Sequence, residues 1–184
     1  MAKVIYGPII SEARGKLGDI ILNRNRGGNF ARALKLTAPG AAAGDGASVT
    51  RTDDLILPSY TESTVPFDAE LYDVGDLHSN TVNPSRLTVS KAGVYLIALT
   101  AYIFTSQAGT NYAYLYKNQA TTVGYWEEDM NLWQETILRI TDIVLLAPDD
   151  FLEFTFGNSQ PVDCTLVYDP QWTPVFSIQQ LTST

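Results

Sequence analysis

The chain has 184 residues, 45% of them hydrophobic, 11% aromatic and only 17% charged, with a formal net charge of −8. That is enough apolar material for one sizeable domain plus an appendage, and a charge density below the roughly 25% of ordinary globular domains points to surface hidden in an assembly. The single cysteine, Cys164, excludes an intrachain disulfide and a cysteine-cluster metal site, and no apolar run approaches the roughly 18 residues of a membrane span.

The charge is unevenly placed. Residues 1–50 carry seven bases and three acids, a net of +4, whereas the remainder carries five bases and seventeen acids, a net of −12. Such asymmetry implies two tasks: a basic end that meets something acidic, and an acidic body that stays soluble and avoids nucleic acid. The start, MAKVIYGPII, lacks the long apolar segment of a signal peptide. The expectation is a protein made in a cytoplasm with no export signal and no membrane partner.

Residues 1–36 read as an arm. Val4-Ile5-Tyr6 is interrupted by Gly7-Pro8, and the runs 19–24 and 30–36 are spaced to pair as a hairpin across Asn25-Arg26-Gly27-Gly28-Asn29. Gly-Gly beside Asn supplies the positive φ values of a tight turn, but a lone hairpin is marginal in water, so this segment is expected to order when docked. Residues 37–62 read as a connector. Its first part, TAPGAAAGDGASVT, has a flexible linker composition, and Leu55-Ile56-Leu57 is a short docking strand.

Residues 63–184 read as a run of short strands: 64–72, 86–89, 93–104, 112–116, 121–126, 135–146, 151–156, 162–168 and 174–181. Turn chemistry separates them at Lys117-Asn118-Gln119, at Ala147-Pro148-Asp149-Asp150 and at Gly157-Asn158-Ser159. No helical periodicity of useful length appears, so the spacing predicts an all-β sandwich or barrel. One strand stands out. Val94 to Phe104 has no charge, and both of its faces are largely apolar, one carrying Val94, Leu96, Ala98, Thr100, Tyr102 and Phe104, the other Tyr95, Ile97, Leu99, Ala101 and Ile103. A half-exposed strand alternates apolar with polar, so this one is expected to be covered twice, by the partner sheet and by a neighbouring subunit.

The body resembles the C1q/tumour-necrosis-factor (TNF)-like jelly roll over about 120 residues. The resemblance is carried by Thr64-Val65-Pro66-Phe67-Asp68, by Arg86-Leu87-Thr88-Val89 leading into Ala92-Gly93-Val94-Tyr95-Leu96, by Tyr114-Leu115-Tyr116-Lys117-Asn118, by Leu145-Leu146-Ala147-Pro148-Asp149-Asp150 and by Phe176-Ser177-Ile178. Gln119 stands where that family usually has Gly. The resemblance implies a compact homotrimer. Tyr95, Ile97 and Leu99, with the alternating Tyr112, Tyr114 and Tyr116, are expected at its interface. The N-terminus, MAKVIYGPII…GKLGDIILNRNRGGNFAR, resembles the first residues of some tailed-phage structural proteins. That implies a virion component whose arm grips the particle.

Candidate sites follow from residue types. The only histidine, His78, lies in the loop DLHSN near Ser79 and Asp76, without a G-x-S-x-G elbow, and reads as a surface loop residue rather than a catalytic one. Glu127-Glu128-Asp129 reads as a solvated acidic loop, with a weak Ca²⁺ site as the alternative, although no D-x-D-x-D-G loop is present. With Trp126 and Trp133 at its flanks, this loop is the expected ligand patch. In the arm, Arg14, Lys16, Arg24, Arg26 and Arg32 are assigned to carboxylates of a capsid protein rather than to nucleic acid, with Gly27 and Gly28 letting the backbone run flat and Phe30 adding one aromatic contact. The expected function is non-enzymatic and needs no cofactor: a trimeric capsid decoration or head-fibre protein on the virion surface, held to the major capsid protein by its arm. The alternative is a fibre knob that recognises a host-surface glycan.

Overall fold

The computed structural model describes residues 44–171 and 173–183. The arm 1–36 lies outside them, and its expected contacts are not addressed by the fold. Among the described residues there are twelve strands and no helix: β1 (Gly46–Thr50), β2 (Leu55–Leu57), β3 (Thr61–Thr64), β4 (Ala69–Val74), β5 (Arg86–Thr88), β6 (Gly93–Thr105), β7 (Gly109–Lys117), β8 (Thr121–Met130), β9 (Gln134–Leu146), β10 (Phe151–Asn158), β11 (Cys164–Leu166) and β12 (Val175–Ser183).

They form two antiparallel sheets. In the front sheet β6 is central: β9 runs along its whole length on one side, while β12 and then β11 share the other side, with β1 and β4 beyond β12 and β2 beyond β11. In the back sheet β10 is flanked by β7 and β8 on one side and by β3 and β5 on the other. The inward faces interleave into one core. Tyr95, Ile97, Leu99, Ala101 and Ile103 of β6 meet Leu152, Phe154 and Phe156 of β10 and Ala113 and Leu115 of β7, all at most 1% exposed.

Two expected boundaries shift. The Gly/Ala-rich stretch read as a linker includes β1, a fully buried strand paired on both sides, so the compact unit begins at Gly44 rather than at 63. Small side chains suit that position because the neighbours come close: a Cβ on Gly46 would lie 2.6 Å from Gln179 Oε1 and 2.9 Å from the Ile178 carbonyl oxygen. The predicted strand 64–72 is two strands, β3 and β4, belonging to different sheets. Pro66 sits between them, where a strand's ladder cannot continue through a residue without an N–H.

The turns that carried the family resemblance lock together. Lys117-Asn118-Gln119-Ala120 closes with an Ala120 N–H to Lys117 carbonyl bond of 3.1 Å, and both central residues have positive φ, 53° and 56°. That is the twist-compatible hairpin turn, which tolerates Asn well and Gln poorly. Asn118 then reaches across to the β9–β10 turn. Its amide donates to Asp150 Oδ1 at 2.7 Å and its carbonyl accepts the Phe151 N–H at 2.9 Å, while Lys117 Nζ sits 2.7 Å from Asp150 Oδ2. Burial raises the Asp150 pKa, but the bonds from Lys117, the Ala147 N–H and Asn118 outweigh it and hold the carboxyl below its ordinary range.

Candidate functional site

The two outer faces of the sandwich differ, and register decides what each displays, because residues directly opposite in an antiparallel pair project to the same side. On the front sheet, the outward residues of β6 are Val94, Leu96, Ala98, Thr100, Tyr102 and Phe104. Opposite them on β9 are Leu145, Ile143, Thr141, Arg139, Ile137 and Glu135. Ile143 is 60% exposed and Leu145 63% exposed, so with Val94 and Leu96 they make an apolar patch facing solvent. A second apolar group lies toward the other end of the strand. There Tyr102 stands opposite Ile137, and the Trp133 ring lies 6.1 Å from that of Phe104. Tyr102 donates its hydroxyl to Glu135, and that bond, with burial and the charges of Glu135 and Asp169, pushes its pKa up to about 12.

This corrects the expected interface. Tyr95, Ile97 and Leu99 are 0%, 0% and 1% exposed within a single chain, so they form its own core and have no surface left for a neighbour. Both faces of β6 are apolar, and sequence alternation alone did not distinguish them. The even-numbered set is the uncovered one.

Tyr112, Tyr114 and Tyr116 do share a face, but on the back sheet, where they point outward and are half-buried. They form a row. The Tyr112 and Tyr114 rings meet edge to face at 5.4 Å, those of Tyr114 and Tyr116 stack at 5.3 Å, and Tyr125 of β8 joins Tyr114 at 5.1 Å. Gly157 lies opposite Tyr112, and a Cβ there would fall 2.0 Å from Tyr112 Cε2, so the ring lies across β10 in space that only glycine leaves open. Around the row are carboxylates. Tyr125 donates its hydroxyl to Glu127, and Asp129 accepts the Thr110 hydroxyl at 2.5 Å. Glu153 accepts from Ser85 at 2.8 Å and from Arg86 Nε at 3.0 Å, with the Arg86 guanidinium 4.0 Å from the Phe151 ring centre. Burial raises the Tyr116 pKa, and the nearby Glu62 charge adds to it.

The expected ligand patch comes apart. Residues 127–129 are not a loop: β8 continues to Met130, and strand alternation sends neighbouring side chains to opposite sides. Trp126 turns inward and packs against the core, Glu127 and Asp129 turn outward, and Glu128 binds Gln134 at 3.1 Å and Thr136 at 2.8 Å, tying β8 to β9. Trp133 sits apart from these residues at the β8–β9 turn, with φ of 56° and 69% exposure, beside the front face. Among the described residues no three His, Cys, Asp or Glu side chains converge as metal ligands.

The His78 side chain is fully enclosed rather than at the surface: Nδ1 lies 3.1 Å from Glu70 Oε1 and Nε2 3.1 Å from the Pro84 carbonyl oxygen. Ser79 Oγ instead accepts the N–H groups of Thr81 and Val82, so the sequence neighbours Ser79 and Asp76 do not assemble with His78 into a triad. Cys164 is buried, and burial pushes its thiol pKa up.

No protein-family model matches the sequence, and neither does any curated protein. Solved structures do match it. The globular domain of zebrafish complement 1qA superposes with a TM-score of 0.58 at 15% identity, covering 76% of this chain and 99% of that one. The Eiger TNF of S. frugiperda gives 0.58 at 13% identity, covering 78% and 96%, and murine APRIL gives 0.56 at 11%, covering 74% and 98%. At such identities the likeness concerns the backbone arrangement alone. In its fold, the chain is a C1q/TNF-type jelly-roll sandwich.

Proposed function

We propose that the chain is a non-enzymatic phage structural protein, a homotrimeric capsid decoration or head-fibre protein on the virion surface, held to the major capsid protein by residues 1–36. The observation that carries the trimer is the apolar outer face of β6 and β9, with Ile143 and Leu145 more than half exposed on a chain of net charge −8. Apolar patches of this kind on an isolated chain mark interaction surfaces. Burying one against identical copies is worth about 25 cal/mol per Å² before association costs are subtracted. Val94, Leu96, Ile143 and Leu145 take the interface role first given to Tyr95, Ile97 and Leu99. A specific contact needs roughly 1,200–2,000 Å² in total, more than this cluster alone provides. The Tyr102, Phe104 and Trp133 group therefore belongs to the same contact.

The virion part of the reading is supported by the N-terminal resemblance and by the opposed charges of the two ends. Three basic arms per trimer make attachment multivalent, so modest contacts from Arg24, Arg26 and Arg32 to shell carboxylates hold firmly together. The test compares particles assembled with the full chain and with a chain lacking residues 1–36. Loss of incorporation is expected, and normal incorporation of the shortened chain overturns the anchor. The second reading, a glycan-binding knob, is favoured by the tyrosine row on the back sheet. It loses the Trp126/Trp133 patch on which it first rested.

A further inference from the structure

At the Tyr116 end of the tyrosine row the back sheet carries a groove of about 340 Å³, lined by Glu62, Thr64, Tyr116, Gln119, Glu153 and Thr155. We propose that this groove binds one neutral sugar residue, with the Tyr116 ring as its apolar wall. The proposal deepens the glycan-binding alternative and needs neither the capsid anchor nor the trimer. The front-sheet patch lies on the opposite face of the sandwich, so both surfaces can be occupied at once.

Four observations carry it. The volume falls within the range of small-molecule sites, about 300–1,000 Å³. Polar groups converge there without protein partners: among the described residues, the Glu62 carboxylate, the Thr64 and Thr155 hydroxyls and the Gln119 amide make no hydrogen bond, although Thr155 is only 6% exposed. A mixture of hydroxyl, amide and carboxylate beside an aromatic ring complements a sugar, whose hydroxyls both donate and accept and whose C–H face is apolar. Tyr116 closes the row, its ring stacked on that of Tyr114 at 5.3 Å.

Charge narrows the class. Among the described residues no lysine or arginine lines the groove, and both of its carboxylates are glutamates, so a sialylated or sulfated sugar meets repulsion. A cationic guest is also poorly matched, because Glu153 is already paired with Arg86 and Ser85 and only Glu62 is left to attract it. Finally, Gln119 holds φ of 56°, a conformation in which glycine costs least, yet a residue with a long amide side chain stands there and lines the groove.

That last point gives a variant that separates binding from folding. The full chain is examined by saturation-transfer NMR with galactose, glucose, mannose and N-acetylglucosamine, irradiating the tyrosine ring protons, beside N-acetylneuraminic acid and an arginine-rich peptide. The expected result is transfer to at least one neutral sugar, with affinity lowered about tenfold or more in Gln119→Gly and in Thr155→Val. Gln119→Gly is expected to melt at or above the wild-type temperature, since it relieves the backbone. No transfer to any neutral sugar, equal affinity in both variants, or a response confined to the sialic acid or the peptide overturns the proposal. The trimer and the anchor are read by mass and by particle incorporation, so they stand or fall separately.

Discussion

The outer faces of the two sheets use the same two-residue alternation for opposite ends. On the back sheet, Tyr112, Tyr114, Tyr116 and Tyr125 cover one another and the strands beneath, and each ring carries a polar hydroxyl, that of Tyr125 bonded to Glu127. On the front sheet, Val94, Leu96, Ile143 and Leu145 have no polar end to offer, and among the described residues nothing covers Ile143 and Leu145, which stand 60% and 63% exposed. An amphipathic side chain can finish a sheet face alone, whereas an aliphatic one needs another surface. The back face thus closes on itself, whereas the front face leaves aliphatic side chains that the proposed trimer would cover.

The sharpest way to break this contrast is to place a carboxylate on each face in turn. Leu96→Asp is expected to leave a folded chain by circular dichroism but to abolish the assembled species in sedimentation velocity. Tyr125→Asp should leave the sedimenting mass unchanged. Within β6 itself, adjacent residues should separate cleanly. Ile97→Ala removes a core side chain and is expected to cost about 2–5 kcal/mol in denaturant unfolding, whereas Leu96→Ala should act mainly on the concentration at which the assembly dissociates.

A smaller effect tests the self-covering of the back face. Gly157→Ala puts a methyl group into the Tyr112 ring and is expected to cost roughly 1–3 kcal/mol. The loss should be largely recovered in the double variant with Tyr112→Ala, measured as a double-mutant cycle. Smaller still is the acid response of the turns that join the sheets. Asp150 is held below the ordinary carboxylate range, so its contribution is full above about pH 4 and is lost as pH falls through the lower folded-state value. Asp150→Asn should therefore be less stable than wild type at neutral pH and converge with it in acid, as followed by thermal melts across pH.

Much of this fold was legible because strand periods and turn chemistry agree. The long strand at 93–104, the turn at Asn118 and the Pro148-Asp149-Asp150 turn all stand within a residue or so of their expected places. What escaped did so for physical reasons. β1 is built from Gly, Ala and Ser, so its composition matches a linker, and only the crowding by Gln179 and Ile178 shows why small residues belong there. The acidic run at 127–129 looked like a loop because charge suggests solvent, yet on a strand its members part to opposite faces. Tyr95, Ile97 and Leu99, expected at an interface, are core instead, because a strand apolar on both faces gives no clue to which one looks inward. The tyrosine row was visible as an alternation, but Gly157 and Tyr125, which complete it, come from other strands.

The central claim is that the front face is covered by copies of the same chain. It is tested most directly by the mass of the 184-residue chain in solution, by native mass spectrometry at micromolar concentration. The account predicts a species of three chains, each of 20.2 kDa. A folded single chain under those conditions would contradict it.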